Sequence, residues 1–139
     1  MFSFNGSGVY RNRKEDKPEA YRVNGKDLEL GEKEYMPDLM HDQAVGFIRQ
    51  NQAKPFFLYY SMVHVHGDIQ PTPDSAPDSK DLFGDNILYM DKLVGKLTRD
   101  VYASRQSDAE AAGKRFDKWD ADQDGFLTRE EYIHRNQEP

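Results

Sequence analysis

The sequence contains no cysteine, which excludes a disulfide framework, a thiolate metal site and a cysteine nucleophile. It also lacks an apolar run of the roughly 18 residues that a membrane-spanning helix needs. Bases are in deficit, with 19 Lys and Arg against 25 Asp and Glu, and a net charge of −6 argues against a nucleic-acid binder. The first residues lack the basic-then-apolar layout of a signal peptide, so we expect none.

The 139 residues suffice for one ordinary domain, or for a small domain with an appendage. Residues 1–20 are rich in Gly, Asn and charge, and they predict a flexible N-terminal segment. A β-hairpin is predicted over Tyr21–Leu30, because Asn24 and Gly25 suit the two positive-φ positions of a type I′ turn.

The following residues predict a helix, a strand and a second helix. Pro37 and Asp38 mark the start of a helix that continues to Asn51. The aromatic run Phe56–Met62 fits a strand buried on both faces, and a long loop over residues 63–80 leaves its carboxyl end. An amphipathic helix is then predicted over Leu82–Leu97, and residues 98–107 read as a linker. This order indicates an α/β fold built from a β-hairpin–α–β–α unit.

The two predicted helices have apolar residues at helical spacing. In the first helix these are Met40, Ala44, Phe47 and Ile48, and in the second they are Ile87, Met90, Val94 and Leu97. A face of this kind normally packs on a core.

The segment from Asp120 to Glu131 matches the twelve-residue calcium loop of an EF-hand. Gly125 permits the sharp turn at the sixth position, and predicted helices over Asp108–Trp119 and Arg129–Asn136 flank the loop. The predicted Ca²⁺ ligands are Asp120, Asp122, Asp124, the carbonyl of Phe126, Thr128 and Glu131. The alternative interpretation is a solvated acidic turn. EF-hands usually work in pairs, so a lone loop would pair with a second EF-hand in another chain or pack on its own domain.

His64 and His66 lie in the loop that follows the predicted strand. On an extended segment, two residues separated by one position face the same way and could share a metal. Two ligands are too few for a metal site, so an ordinary loop histidine is the competing interpretation for His64.

Residues from Tyr35 to Leu97 resemble the sulfatase family of the alkaline-phosphatase-like superfamily. The similar pieces, in order, are Tyr35-x-Pro-Asp38, Ala44-Val-x-Phe47-Ile48, Lys54-Pro-Phe-Phe-Leu-Tyr-Tyr60, His64-Val-His66-Gly67 with Thr72-Pro-Asp-Ser75, and Tyr89-Met-Asp91-Lys-Leu-Val-Gly95-Lys-Leu97. Composition, resemblance and loop motif together divide the chain into a flexible N-terminal segment over residues 1–20, a sulfatase-like α/β fragment over 21–98, and an EF-hand over 107–139. Several bacterial sulfatases are similar in carrying an EF-hand-like tail, which favours a bacterial source.

The resemblance implies that His66 contacts the sulfate group of a substrate. Sulfatases use a formylglycine nucleophile made from Cys or Ser in Cys/Ser-x-Pro-x-Arg, and that motif is absent from this chain. The family's N-terminal Asp-Asp metal ligands are absent as well. We therefore expect a truncated, internally deleted or fragmentary sulfatase that is inactive alone. The resemblance also implies a periplasmic or secreted location, although no signal peptide is visible.

Three functions compete at this stage. The first is calcium binding through one EF-hand attached to a catalytically incomplete sulfatase-like fragment. The second is part of a sulfuric-ester hydrolase whose nucleophile and metal-site segments are missing from the chain. The third is an interaction protein whose strand docks on a full-length sulfatase chain. The expected partners are thus a calcium ion and either a second EF-hand or a sulfatase chain.

Overall fold

The computed structural model describes residues 1–4, 10–12, 20–106, 108–125, 127–128 and 130–131. Within these ranges the elements are, in chain order, β1 (Phe2–Phe4), β2 (Ala20–Val23), β3 (Lys26–Glu29), α1 (Met36–Asn51), α2 (Leu82–Ser104) and α3 (Ala109–Trp119). The mixed helix and strand content agrees with a partial α/β unit. None of the helices within the described ranges has the length and apolar character needed to cross a bilayer.

The chain divides into two compact units. One unit comprises residues 1–44 and 58–90, and the other comprises residues 45–57 and 91–139. The first unit buries the large side chains of Tyr10, Leu30, Tyr35, Met36, His64 and Tyr89. The second buries Val45, Ile48, Leu93, Ala103, Ala112 and Phe116. The division of the chain predicted from the sequence, into residues 1–20, 21–98 and 107–139, remains a prediction.

The hairpin prediction is confirmed. Strands β2 and β3 are antiparallel, and Asn24 and Gly25 have φ values of 51° and 83°, as a type I′ turn requires. Strand β1 adds to β2 to give a three-stranded sheet in the order β1-β2-β3. Within the segment predicted to be flexible, residues 1–20, Phe2–Phe4 thus forms a strand. Its Phe2 ring stacks on Tyr21 with centroids 5.3 Å apart, a cross-strand contact that adds to the backbone pairing.

Helix α1 confirms the first predicted helix and begins two residues earlier, so that Pro37 and Asp38 lie in its first turn. Both residue types suit that place, since proline has no N–H to leave unpaired and a carboxylate interacts favourably with the helix N-terminus. Ile48 is buried, as its spacing predicted, whereas Phe47 is 36% exposed.

The strand predicted over Phe56–Met62 is absent, and the segment runs as irregular chain. Its side chains still alternate, because Phe57 and Tyr59 are 86% and 80% exposed while Leu58 and Tyr60 are half-buried. A strand exists through hydrogen bonds to a neighbouring strand. The described sheet, β1-β2-β3, does not include this segment. The prediction of a strand buried on both faces is therefore wrong for this chain.

Helix α2 runs to Ser104, so the predicted linker over residues 98–107 is largely helical. Packing against α3 stabilises the extra turns: the Tyr102 ring lies 5.6 Å from the Phe116 ring and 6.3 Å from that of Trp119, measured between centroids. Sequence periodicity missed the extension because the polar run Thr98-Arg99-Asp100 interrupts the apolar spacing.

The buried face of α2 also differs from the predicted one. Asn86, Tyr89 and Leu93 are buried, whereas Ile87 of the predicted face is 37% exposed. Hydrogen bonds to Asn86 and Tyr89, described below, hold this polar and aromatic face inward. Apolar spacing alone gives no weight to such bonds.

Helix α3 confirms the helix predicted before the segment from Asp120 to Glu131, here called the acidic loop. The carboxylate of Asp108 caps it by accepting a hydrogen bond of 2.9 Å from the backbone N–H of Ala111. Glu130 and Glu131 are helical after the loop. The remainder of the helix predicted over Arg129–Asn136 lies outside the described residues, as does Phe126.

Candidate functional site

A buried tyrosine, Tyr10, holds the backbone of the loop that carries His66. The hydroxyl oxygen of Tyr10 lies 2.8 Å from the carbonyl oxygen of Val63 and 2.9 Å from that of His66, so its single proton is shared between two acceptors. The N–H of His66 donates to the Val63 carbonyl at 3.1 Å, which closes a turn. The backbone position of His66 is thus set by a residue 56 positions earlier in the chain.

The side chain of His66 is exposed, and its Nδ1 accepts a hydrogen bond of 3.1 Å from the N–H of Gly67. In a neutral imidazole one nitrogen accepts and the other carries the proton. The proton therefore belongs on Nε2. This leaves an N–H donor for a ligand in the solvent, which is the chemistry that an anion contact needs.

His64 has the opposite environment. It is fully buried, and within the described residues neither ring nitrogen has a hydrogen-bond partner. Burial lowers the pKa of His64 to about 4, against a smaller opposing effect of the Asp38 carboxylate. With one ring buried and the other exposed, His64 and His66 do not face the same way. The turn at residues 63–66 separates them, and the shared metal site considered from the sequence is excluded.

Hydrogen-bonded aromatic side chains surround His64. The Tyr35 hydroxyl donates to Oδ1 of Asn86 at 3.1 Å, and the Tyr89 hydroxyl donates to Oδ1 of Asp38 at 2.7 Å. Burial raises the pKa of both tyrosines, so they remain neutral donors. The Tyr35 ring lies edge-on to the His64 ring, with centroids 6.4 Å apart. This cluster supports the loop that carries His66.

Asn86 is the support residue that sequence reasoning missed. It is fully buried, and its Nδ2 donates to the carbonyls of Gln70 and Leu82 at 2.9 and 2.8 Å. The contact with Gln70 ties the start of α2 to the long loop. One sequence signal could have indicated this role, namely a polar amide three residues before Tyr89 on the same helix face.

The second candidate site is the acidic loop after α3. One carboxylate oxygen from each of Asp120, Asp122 and Asp124 lies within 4.8 Å of the others. The N–H of Gly125 donates to Oδ2 of Asp120 at 2.9 Å, and the N–H of Asp124 donates to Oδ1 of Asp122 at 3.2 Å. Gly125 has a φ of 86°, the conformation expected at the sixth loop position. The structure thus brings together three of the predicted calcium ligands.

Asp120 is the inner member of this cluster. It is 8% exposed, and within the described residues its buried Oδ1 has no hydrogen-bond partner. Burial raises the pKa of Asp120, and the nearby carboxylates of Asp124, Glu131 and Asp122 raise it further, against the hydrogen bond from Gly125. A buried carboxylate oxygen without a donor suits a hard cation.

Glu131 does not join the three aspartates and caps the next helix. Its Oε2 accepts from the N–H and the hydroxyl of Thr128 at 2.8 and 2.9 Å, while the N–H of Glu131 donates to the Thr128 hydroxyl at 3.2 Å. This reciprocal pair is a capping box. The other carboxylate oxygen of Glu131, Oε1, accepts from the N–H of Ala121 at 2.8 Å. Hydrogen bonds from Thr128 lower the pKa of the Glu131 carboxyl.

Comparison with known proteins matches residues 2–109 to the family model described as Sulfatase. The chain is similar to an arylsulfatase of Hemicentrotus pulcherrimus, with 38% identity over 63 residues that cover 45% of this chain and 11% of the relative. It is similar to arylsulfatase D of Homo sapiens, with 38% identity over 60 residues covering 42% and 10% of the two chains. Steryl-sulfatase of Mus musculus is 39% identical over 57 residues, which cover 40% and 9%. No solved structure matches the chain.

These comparisons support the sulfatase resemblance but neither the bacterial source nor the EF-hand. The chain spans about a tenth of the length of the curated relatives it matches. The named relatives are animal proteins and do not support a bacterial source. The match ends before the acidic loop, so the comparisons do not show an EF-hand. Because the matched residues 2–109 are well over half of the 139 residues, the chain belongs to the sulfatase family.

Proposed function

We propose that the chain is part of a sulfuric-ester hydrolase in which His66 contacts the sulfate group and other segments supply the nucleophile and metal ligands. Family membership and the arylsulfatase and steryl-sulfatase names of its relatives support the reaction class. The observation that carries the role of His66 is its exposed ring on a loop fixed by Tyr10.

The chemistry assigned to His66 is donation of a hydrogen bond. With Nδ1 occupied by the Gly67 N–H, the Nε2–H can donate to a sulfate oxygen. Such a donor also stabilises charge that develops on the sulfuryl group during ester cleavage. The chain lacks the Cys/Ser-x-Pro-x-Arg motif, so His66 alone has no nucleophile to assist.

The extended segment over residues 56–62 supports the same proposal. Phe57 and Tyr59 expose large aromatic side chains, which isolated folded domains seldom do side by side. We assign the covering of these two rings to the remaining sulfatase segments, because this chain spans about a tenth of the length of its relatives. Pairing with a strand from those segments would satisfy the backbone and bury both rings.

Sulfate binding by the chain tests the role of His66. Titration with sodium sulfate, followed by the backbone amide NMR signals of the loop over residues 63–80, should give saturable shifts that are lost in His66→Gln. Lys80→Gln is the control, since it removes an exposed positive charge from the same loop. Equal shifts in His66→Gln and wild type would contradict the assignment. A complete coding sequence that lacks Cys/Ser-x-Pro-x-Arg would contradict the hydrolase proposal itself.

A second function, calcium binding, is favoured by the buried oxygen of Asp120. Three aspartates converge, and Oδ1 of Asp120 has no donor among the described residues. We propose that Asp120, Asp122 and Asp124 hold a calcium ion. The remaining ligands would be Thr128, Glu131 and the carbonyl of Phe126. Glu131 would then give up a capping hydrogen bond to reach the ion.

Glu131→Gln separates the two roles of this residue, because glutamine can also close a capping box. Isothermal titration should show calcium binding by the wild type and at least tenfold weaker binding by Glu131→Gln, with unchanged helicity by circular dichroism. Glu130→Gln, an equal charge change at the adjacent exposed position, should bind calcium nearly as the wild type does. No heat from the wild-type chain at millimolar calcium would overturn the proposal.

A further inference from the structure

The backbone of the acidic loop lies directly on helix α2 at a pair of glycines. A Cβ placed on Gly125 would lie 2.5 Å from the Cα of Gly95. A Cβ placed on Gly95 would lie 2.9 Å from the Cα of Gly125 and 3.0 Å from the carbonyl oxygen of Asp124. Every one of these neighbours is a backbone atom, so no side chain can rotate away to make room. The contact therefore requires glycine in both elements.

The helix that leads into the loop packs on the same part of α2. Arg99 forms two hydrogen bonds with the carboxylate of Asp117, of 2.6 and 2.8 Å. The ring of Tyr102 in α2 contacts Phe116 and Trp119 of α3. Trp119 directly precedes the first loop aspartate. The loop and its entering helix thus share one support, residues 91–104 of α2.

This contact bears on the geometry of the aspartates. Gly125, which rests on Gly95, donates its N–H to Oδ2 of Asp120. The other oxygen, Oδ1, is buried without a partner among the described residues, on a side chain that is 8% exposed. The position of Asp120 relative to its neighbours therefore depends on where α2 holds the loop. Moving the loop off Gly95 would disturb the convergence of the three carboxylates.

We propose that helix α2, rather than a second EF-hand, is the docking partner of the calcium loop. The inference rests on the proposed calcium site and adds its partner. Calcium binding and packing of the loop on residues 91–104 then stabilise each other, because coupling between two binding events is reciprocal. Since the family match covers α2 and ends at residue 109, the ion would stabilise a helix of the sulfatase segment itself.

Substitution of Gly95 tests the coupling in the full chain. Gly95→Ala places a methyl group against the backbone of Gly125, so calcium affinity measured by isothermal titration should fall at least tenfold. Gly46→Ala is the matched control, because Gly46 is also helical and a Cβ there meets nothing within 4 Å. It should leave calcium affinity unchanged. Gly95→Ala with wild-type affinity would overturn the inference while the calcium site stands, whereas a wild type that binds no calcium would overturn both.

Hydrogen–deuterium exchange of the wild-type chain gives an answer even if Gly95→Ala fails to fold. Saturating calcium should slow amide exchange severalfold in residues 91–104 of α2 as well as in the loop. Slowing confined to residues 120–131 would show that the loop binds its ion without support from α2, and would overturn the inference.

Discussion

The hydroxyl of Tyr10 lies 2.8 Å from the carbonyl oxygen of Val63, and both residues are buried. The bond joins a residue near the first strand to the start of the turn that carries His66. It also explains why Tyr10 is tyrosine, since phenylalanine would fill the same space and leave two carbonyls with one donor fewer. Burial raises the pKa of the Tyr10 hydroxyl, which keeps it protonated and able to donate.

Tyr10→Phe should lower the free energy of unfolding by about 1 to 2 kcal/mol, the usual cost of removing one buried hydrogen bond. Urea denaturation followed by circular dichroism measures the change. Tyr59→Phe is the control, because Tyr59 is 80% exposed and loss of its hydroxyl should have no measurable effect. Equal stability of Tyr10→Phe and wild type would show that the bond contributes nothing net.

His64 makes stability depend on pH. Its pKa is about 4 in the folded chain and about 6.5 when unfolded, so the unfolded state binds the extra proton between these values. The contribution of the neutral His64 ring to the free energy of unfolding is therefore fully present above pH 6.5 and is lost as pH falls toward 4. The slope should approach about 1.4 kcal/mol per pH unit.

Phenylalanine at position 64 removes the titrating group but keeps an aromatic ring. Thermal and urea melts of His64→Phe between pH 4 and 6.5 should show a shallower pH dependence than the wild type. Identical slopes in His64→Phe and wild type would mean that carboxylates account for the whole effect.

Asp120→Asn should separate stability from calcium binding. Burial and neighbouring carboxylates disfavour the ionised Asp120, so a neutral amide should raise the melting temperature without calcium. The same change removes a charge from the proposed site, so calcium should no longer stabilise the variant. Differential scanning fluorimetry with EGTA and with calcium measures both effects. A lower melting temperature in EGTA would contradict the electrostatic argument.

Asn86→Leu should cost about 2 to 4 kcal/mol of unfolding free energy, because it leaves the buried Tyr35 hydroxyl without its acceptor and removes two donors to backbone carbonyls. Asn51→Leu is the control, since its amide donates to the exposed Phe47 carbonyl near the end of α1. Chemical denaturation that ranks the two variants equally would show that the buried amide has no special role.

Local signals in the sequence predicted local structure well. The Asn24-Gly25 turn, the start of α1 and the cap at Asp108 each depend on residues within one turn of chain, and all three are present. The convergence of Asp120, Asp122 and Asp124 follows from the same kind of signal. Whether the loop binds calcium stays a prediction.

Features that depend on distant residues were not predictable. The strand expected over residues 56–62 needs neighbouring strands, and the length of α2 depends on contacts with α3. Nothing near Tyr10 in the sequence indicates its bond to a carbonyl 53 residues away. The opposite environments of His64 and His66 likewise follow from the turn at Val63, which alternation along an extended chain does not anticipate.

The irregular segment Phe56–Met62, which exposes the rings of Phe57 and Tyr59, has a consequence for handling the chain. Seven residues without charge, proline or glycine, with high β-propensity, form the kind of window that nucleates cross-β aggregates when it is left uncovered. Lys54 and Pro55 stand at one end as gatekeepers against such stacking, while the residues that follow Met62 offer no charge until the turn has been made. A chain kept apart from the rest of a sulfatase domain should therefore show concentration-dependent thioflavin T fluorescence, and Tyr59→Lys should delay its onset.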